Sequence, residues 1–170
     1  LSNGLTIVTE TVDTVRSVAL GFWVRTGSRY EPEALSGISH FLEHTVFKGT
    51  STRSTFEIAA SLERVGGSLN AFTTKEYTCY HARILSEYLG EAVDVLSDLL
   101  LHPTFPEAEI EREKSVVLDE LRDSQDVPEE LAFDAYEEFL YPQNSLGKPI
   151  LGNERTIKAF TAEKLNDYLE

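Results

Sequence analysis

An α+β domain is the fold class this sequence predicts: a mixed or antiparallel β-sheet packed against a layer of helices. Three observations predict it. Two early segments alternate or run apolar with β-branched residues, and a second strand pair follows further along. From Ser86 onward, apolar residues recur at helical spacing instead. Glycines, prolines and Ser/Thr/Asp caps punctuate the changes between the two patterns.

Leu5 to Glu10 and Val15 to Arg25 are the first expected strands, separated near Asp13. Val18, Leu20, Phe22 and Val24 line one face of the second at period two. Thr26-Gly27-Ser28 ends it, and Glu31-Pro32-Glu33 leads into a helix. Ser36 or Ser39 can cap that helix, Lys48 suits its C-terminal dipole, and Gly49 supplies a left-handed stop. Ser54 and Glu57 form a capping box for a second helix that stops at Gly66-Gly67. Ser68 to Thr74 and Tyr77 to Leu85 read as a hairpin joined at Lys75-Glu76. A helix follows from Ser86 to Leu101, ended by Pro103. Boxes at Thr104/Glu107 and Asp126/Glu129 predict helices to about Asp123 and to Leu140, and short helical pieces close the chain, the last from Thr161 to Glu170.

The chemistry is concentrated in His40-Phe41-Leu42-Glu43-His44. Histidines four apart share one helix face, so both imidazoles can converge on one metal ion, with Glu43 on nearly the same side. Histidines on an apolar helix face are more often packed core residues, and that account stands beside the metal one. The pattern H-x-x-E-H is the reversed form of the H-E-x-x-H zinc signature. Catalytic zinc uses three protein ligands and leaves a position for water, whose proton an adjacent carboxylate can take.

Two histidines leave the set one ligand short. In the helix beginning near Thr104, Ile110, Val117 and Leu121 define an apolar stripe, and Glu113 and Glu120 fall on it. Carboxylates are rarely buried unless paired or metal-bound. For Glu113, a border position whose charge reaches solvent is an equal account. Glu120 fits a metal better, because the His helix lacks such a partner.

Composition narrows the classes. Hydrophobic content of 41% supports an ordinary globular core rather than disorder. A net charge of −14 argues against a nucleic-acid partner, and suits either attraction of basic peptides or a simply soluble surface. Cys79 is the only cysteine, so an internal disulfide is impossible and a reducing compartment is the default; it reads as an inert buried thiol. No apolar run reaches the ~18 residues of a membrane span. His81 and His102 match no ligand pattern and read as structural. The chain starts at Leu1 without an initiator Met and ends inside an expected helix, so both ends read as cut.

The H-x-x-E-H motif followed by Glu120 resembles the pitrilysin-type (inverzincin) zinc peptidases, most closely the mitochondrial processing peptidase β subunit and its bacterial relatives. The resemblance covers essentially the whole chain. Leu1-Ser2-Asn3-Gly4-Leu5 is similar to the family's opening strand, and Gly27-Ser28-Arg29-Tyr30-Glu31 to its G-S-R-x-E segment. Gly66-Gly67-Ser68-Leu69-Asn70-Ala71-Phe72-Thr73 resembles its G-G-x-x-N-A-x-T strand, and Glu111 to Leu121 its second ligand helix.

The resemblance implies a LuxS/processing-peptidase-like metallohydrolase domain. It implies one zinc ion on His40, His44 and Glu120, with Glu43 as general base and Glu113 as an acidic supporter of the catalytic site. It implies a substrate peptide adding as a strand along Ser68–Thr74, with Asn70, Ala71 and Phe72 in contact. Phe41 lines a substrate pocket or belongs to the core. The expected function is a zinc metalloendopeptidase acting on extended or unfolded peptides. The alternative is a non-catalytic structural subunit of the same fold, like the respiratory-complex core proteins, although those usually lose the ligand set. A zinc hydrolase of small molecules is a third class, disfavoured by the peptide-pairing strand. Residues 1–170 are expected to be a single N-terminal zinc-binding domain. A second homologous domain or subunit is expected as partner, with a dimer in the full-length protein, so proteolysis by this part alone should be weak or absent. The bacterial cytoplasm is the expected location, with the mitochondrial matrix as the alternative.

Overall fold

The protein is described by a computed structural model covering residues 1–169. Glu170, the expected end of the last helix, lies outside the described residues. Three strands, β1 (Ser17–Val24), β2 (Ser68–Thr73) and β3 (Thr78–Leu85), form one antiparallel sheet in the order β1-β3-β2. Seven α-helices accompany them among the described residues: α1 (Ile38–Thr45), α2 (Thr55–Glu63), α3 (Leu89–Leu101), α4 (Glu107–Asp126), α5 (Pro128–Leu140), α6 (Glu154–Lys158) and α7 (Ala162–Leu169). The α+β expectation therefore holds, with a small antiparallel sheet and a helix-rich remainder.

The core lies between one sheet face and the helices. Ala71, Tyr80, Ala82 and Ile84 from the sheet meet Leu62 of α2 and Val95, Leu96 and Leu99 of α3. Ile110 and Val117 of α4 and Leu165 of α7 extend the same cluster. The alternation at period two explains the sheet's division: Tyr80, Ala82 and Ile84 point inward, while Trp23 and Phe72 remain on the open face with their rings 5.8 Å apart.

Several expected boundaries shift for physical reasons. Leu5 to Glu10 is not a strand; Leu5, Ile7 and Val8 are exposed, and β1 pairs only with β3. Alternating apolar residues make a strand only where a neighbouring backbone supplies ladder partners. The box at Ser54 and Glu57 forms as expected. The box at Thr104 and Glu107 does not: Phe105 is buried in a left-handed turn, Pro106 takes the cap position, and the Thr104 amide donates to the Gly49 carbonyl instead. The Asp126/Glu129 box is also absent, because α4 continues through Asp126 and Pro128 starts α5 directly at its first position.

One polar cluster fastens two loops. Asp98, buried on α3, accepts from the hydroxyls of Thr50 (2.6 Å) and Thr52 (2.8 Å) and from Arg53 (2.5 Å), and pairs with His102 at 3.1 Å. Burial pushes the Asp98 carboxyl up, but these hydrogen bonds outweigh it and hold it down to about 2. A carboxyl held below its unfolded value stabilises the fold fully above about pH 4, and that contribution disappears as pH falls through about 2. Denaturant titrations from about pH 5 down to about pH 2 are expected to lose stability in that window, and Asp98→Asn is expected to flatten the loss.

Candidate metal centre

The helix that carries both histidines is short, and its start is built from outside. Gly37 caps α1 with φ +91° and no side-chain hydrogen bond. Ser36 and Ser39 therefore do not cap it, contrary to the sequence expectation. Glu31 does: its buried carboxylate accepts from the Gly37 amide at 2.6 Å and the Ser39 amide at 2.9 Å. A negative charge at the N-terminus satisfies orphan donors and complements the helix dipole. The Ser36 carbonyl is held by the Thr156 hydroxyl at 2.7 Å, and the backbone of Leu151 and Gly152 lies against Gly37. At the other end α1 tightens into a 3-10 turn, Val46–Lys48, before Gly49 turns away at φ +139°.

On this frame His40 and His44 project one turn apart, with ring centroids 4.7 Å apart. Glu120 of α4 reaches both: its Oε2 is 3.7 Å from His40 Nε2 and 3.4 Å from His44 Nε2. One ligand atom from each of the three residues lies within 4.8 Å of the other two. Tetrahedral zinc with bonds of about 2.0–2.1 Å sets its ligand atoms about 3.4 Å apart, so the donor set fits zinc with little adjustment. The structure thus brings together the three residues proposed from sequence, although Glu120 is half exposed, not a buried stripe position.

Glu113, seven residues earlier on α4, is the buried carboxylate. It meets His44 Nδ1 at 3.3 Å and Lys48 Nζ at 2.8 Å. Orienting a ligand histidine through its second nitrogen is the usual role of an outer carboxylate. The pairing with Lys48 was not legible in sequence, where Lys48 read only as a dipole partner. Its spacing of one turn after His44 was the available signal. His40 Nδ1 is buried without a hydrogen-bond partner.

Charge separates the two imidazoles. Burial, then the proximity of His44, lowers the His40 pKa to about 4, which keeps that ring neutral, the form a metal requires. Burial also opposes charge on His44, but Glu120, Glu113 and Glu43 outweigh it and raise its pKa. Glu43 lies beside the cluster with Oε2 buried and unpartnered. Burial raises its carboxyl above the ordinary range, with Thr73 at the end of β2 opposing.

The remaining expected site residues divide. Phe41 is completely buried and packs on Phe160 with centroids 5.1 Å apart, so it is core and not a substrate contact. Ala71 turns its side chain inward, while Asn70 and Phe72 face outward on the same strand. His81 stands near Phe72, and Cys79 is buried.

A His-x-x-Glu-His helix with a glutamate from the adjacent α4 offers a donor set that could hold a metal ion, on an α+β frame. The model of the insulinase family, peptidase family M16, matches residues 6–154, and the chain belongs to that family. It is 50% identical over 167 residues to a Bacillus subtilis protein named uncharacterized zinc protease YmxG, covering 98% of this chain and 41% of that protein. Among solved structures, a protease from Helicobacter pylori superposes with a TM-score of 0.86 at 23% identity, over 91% of this chain and 38% of that one. Pitrilysin does so with 0.79 at 27% identity, over 92% and 17%. The chain thus spans less than half the length of each. No helix among the described residues is long and apolar enough to cross a membrane.

Gly37→Ala tests the helix frame. A Cβ there would sit 2.6 Å from the Leu151 carbonyl at a left-handed φ. The variant is expected to lose about 2–3 kcal/mol in denaturant unfolding, since strain and collision add.

Proposed function

We propose that this chain is the zinc-binding catalytic domain of a metalloendopeptidase that cuts extended or unfolded peptides. The observation that carries the proposal is the spacing of His40, His44 and Glu120 with the buried, unpartnered Oε2 of Glu43 beside them. These three residues would hold zinc, and Glu43 would serve as general base. Zinc bound there supplies Lewis acidity and brings the pKa of water near neutrality.

The chain's own groups account for the rest. A Glu43 carboxylate with a raised pKa is a better proton acceptor than a solvated one, and it can return the proton to the leaving amine. Glu113, tied to Lys48, keeps His44 turned so that Nε2 faces Glu120. β2 is an edge strand ending at Thr73, next to Glu43, so a peptide added along it would bring a backbone carbonyl to that carboxylate. Asn70 and Phe72 would meet substrate through side chains, and Ala71 through its backbone only.

The relatives are more than twice the length of the matched region, which supports a second homologous half or subunit that encloses the substrate. Appreciable turnover would then require that half, and the full-length protein would work as a dimer. The similarity to a bacterial protein supports a bacterial source, for which the cytoplasm is the place proposed.

Elemental analysis of the purified protein is expected to find one zinc per chain, lost in both His44→Ala and Glu120→Ala. Glu43→Gln in the full-length protein is expected to keep its zinc while peptide hydrolysis falls at least ~10³-fold, well beyond a positioning defect. Zinc-free folded protein would refute the proposal. Unchanged hydrolysis by Glu43→Gln would remove Glu43 as the base.

A further inference from the structure

The Asp98 cluster lies apart from the metal ligands, yet it closes the junction on which their geometry rests. α1 and α4 carry every proposed ligand, and their neighbouring ends are joined through two loops. Residues 49–53 follow α1's 3-10 turn, and residues 102–106 precede α4. The Ser51 amide donates to the His102 carbonyl at 2.9 Å, and the Thr104 amide donates to the Gly49 carbonyl at 3.1 Å. Thr50 and Pro103 form an isolated antiparallel bridge between the same loops.

Asp98 clasps this bridge. Three donors of the first loop, the Thr50 and Thr52 hydroxyls and the Arg53 guanidinium, converge on Asp98 Oδ2, and His102 of the second loop meets Oδ1. Thr50 Oγ1 also accepts from the Thr52 and Arg53 amides, so the loop's fold and its attachment share one atom. Arg53 is held further by Asp94. Lys48 immediately precedes Gly49, and its ammonium pairs with Glu113, which in turn meets His44 Nδ1. A buried carboxylate is costly unless its hydrogen bonds are complete, so this one is a rigid anchor and not a solvated ornament.

We infer that Asp98 is a positioning residue for the metal centre: by clasping Thr50, Thr52, Arg53 and His102 it sets the end of α1 against the start of α4, and so aims Lys48, Glu113 and His44. The inference rests on the reading of His40, His44 and Glu120 as zinc ligands. Asp98 touches neither substrate nor metal. Loss of its clasp would leave the ligands present but loosely aimed.

The test compares the full-length wild type with Asp98→Asn, Thr50→Val and a core control, Ile84→Val, below the onset of unfolding of each. Zinc affinity is read by chelator competition, and the His44 imidazole nitrogen signals are read by NMR in the metal-free protein. Asp98→Asn is expected to weaken zinc up to about tenfold, no more than loss of a direct partner of a ligand does, and to move the His44 signals. Thr50→Val is expected to change both in the same direction, and Ile84→Val neither. Zinc affinity within about twofold of wild type, with His44 signals unmoved in Asp98→Asn, would overturn the inference. Should wild type bind no zinc, the ligand reading fails separately, and movement or stillness of the His44 signals still decides the role of Asp98.

Discussion

The carboxylate of Glu113 sits buried where α1 and α4 meet, against the His44 imidazole of the candidate metal centre. An ionised carboxylate out of water is destabilising by several kcal/mol unless its oxygens are paired. Lys48 takes one oxygen at 2.8 Å and His44 Nδ1 the other at 3.3 Å, both from the α1 side. Alongside the apolar contacts of α1 and α4, this buried carboxylate is satisfied in one register of the two helices. Seven residues on, the same helix face delivers Glu120 to both imidazoles. Two helical turns of α4 therefore separate the glutamate that meets His44 Nδ1 from the one that reaches both imidazoles.

The rest of the frame protects that junction from both ends. Glu31 closes the start of α1 through two backbone amides, and the Ser36–Gly37 turn is pinned against Gly152 and Thr156. Asp98 fastens the loop that leaves the helix. Carboxylates thus set the beginning, the end and the register of an eight-residue helix that has little stability of its own. In a chain of net charge −14, most acidic residues are solvated surface; these few are the ones with work in the interior.

Membership of the M16 family and the assembled donor set agree on a metal-binding peptidase frame. The edge strand β2 runs up to Thr73 beside Glu43, which brings a surface suited to backbone pairing next to the carboxylate proposed as base. The sheet's open face carries Trp23, Phe72 and Tyr77 packed on one another, not on the core.

The amino-acid sequence by itself determined the α+β class, the hairpin, most helices, and the pairing of His40 and His44 on one helix face with Glu43 beside them. Each follows from local rules: period two, period 3.6, a capping box at Ser54, and histidines one turn apart. Tertiary structure decided the rest. Leu5 to Glu10 has the pattern of a strand and no partner to pair with. The caps expected at Ser36 or Ser39, Thr104 and Asp126 lost to Glu31 in the loop just before the helix, to a buried Phe105 and to Pro128. Phe41 lies between the two histidines in sequence, but the helix turns it about a quarter-turn away from them, into the core against Phe160. Glu113 and Glu120 share a stripe, and only the packing of α4 on α1 buries the first and leaves the second half exposed. Local chemistry names which groups can act, whereas burial and pairing depend on which distant segment arrives to satisfy them.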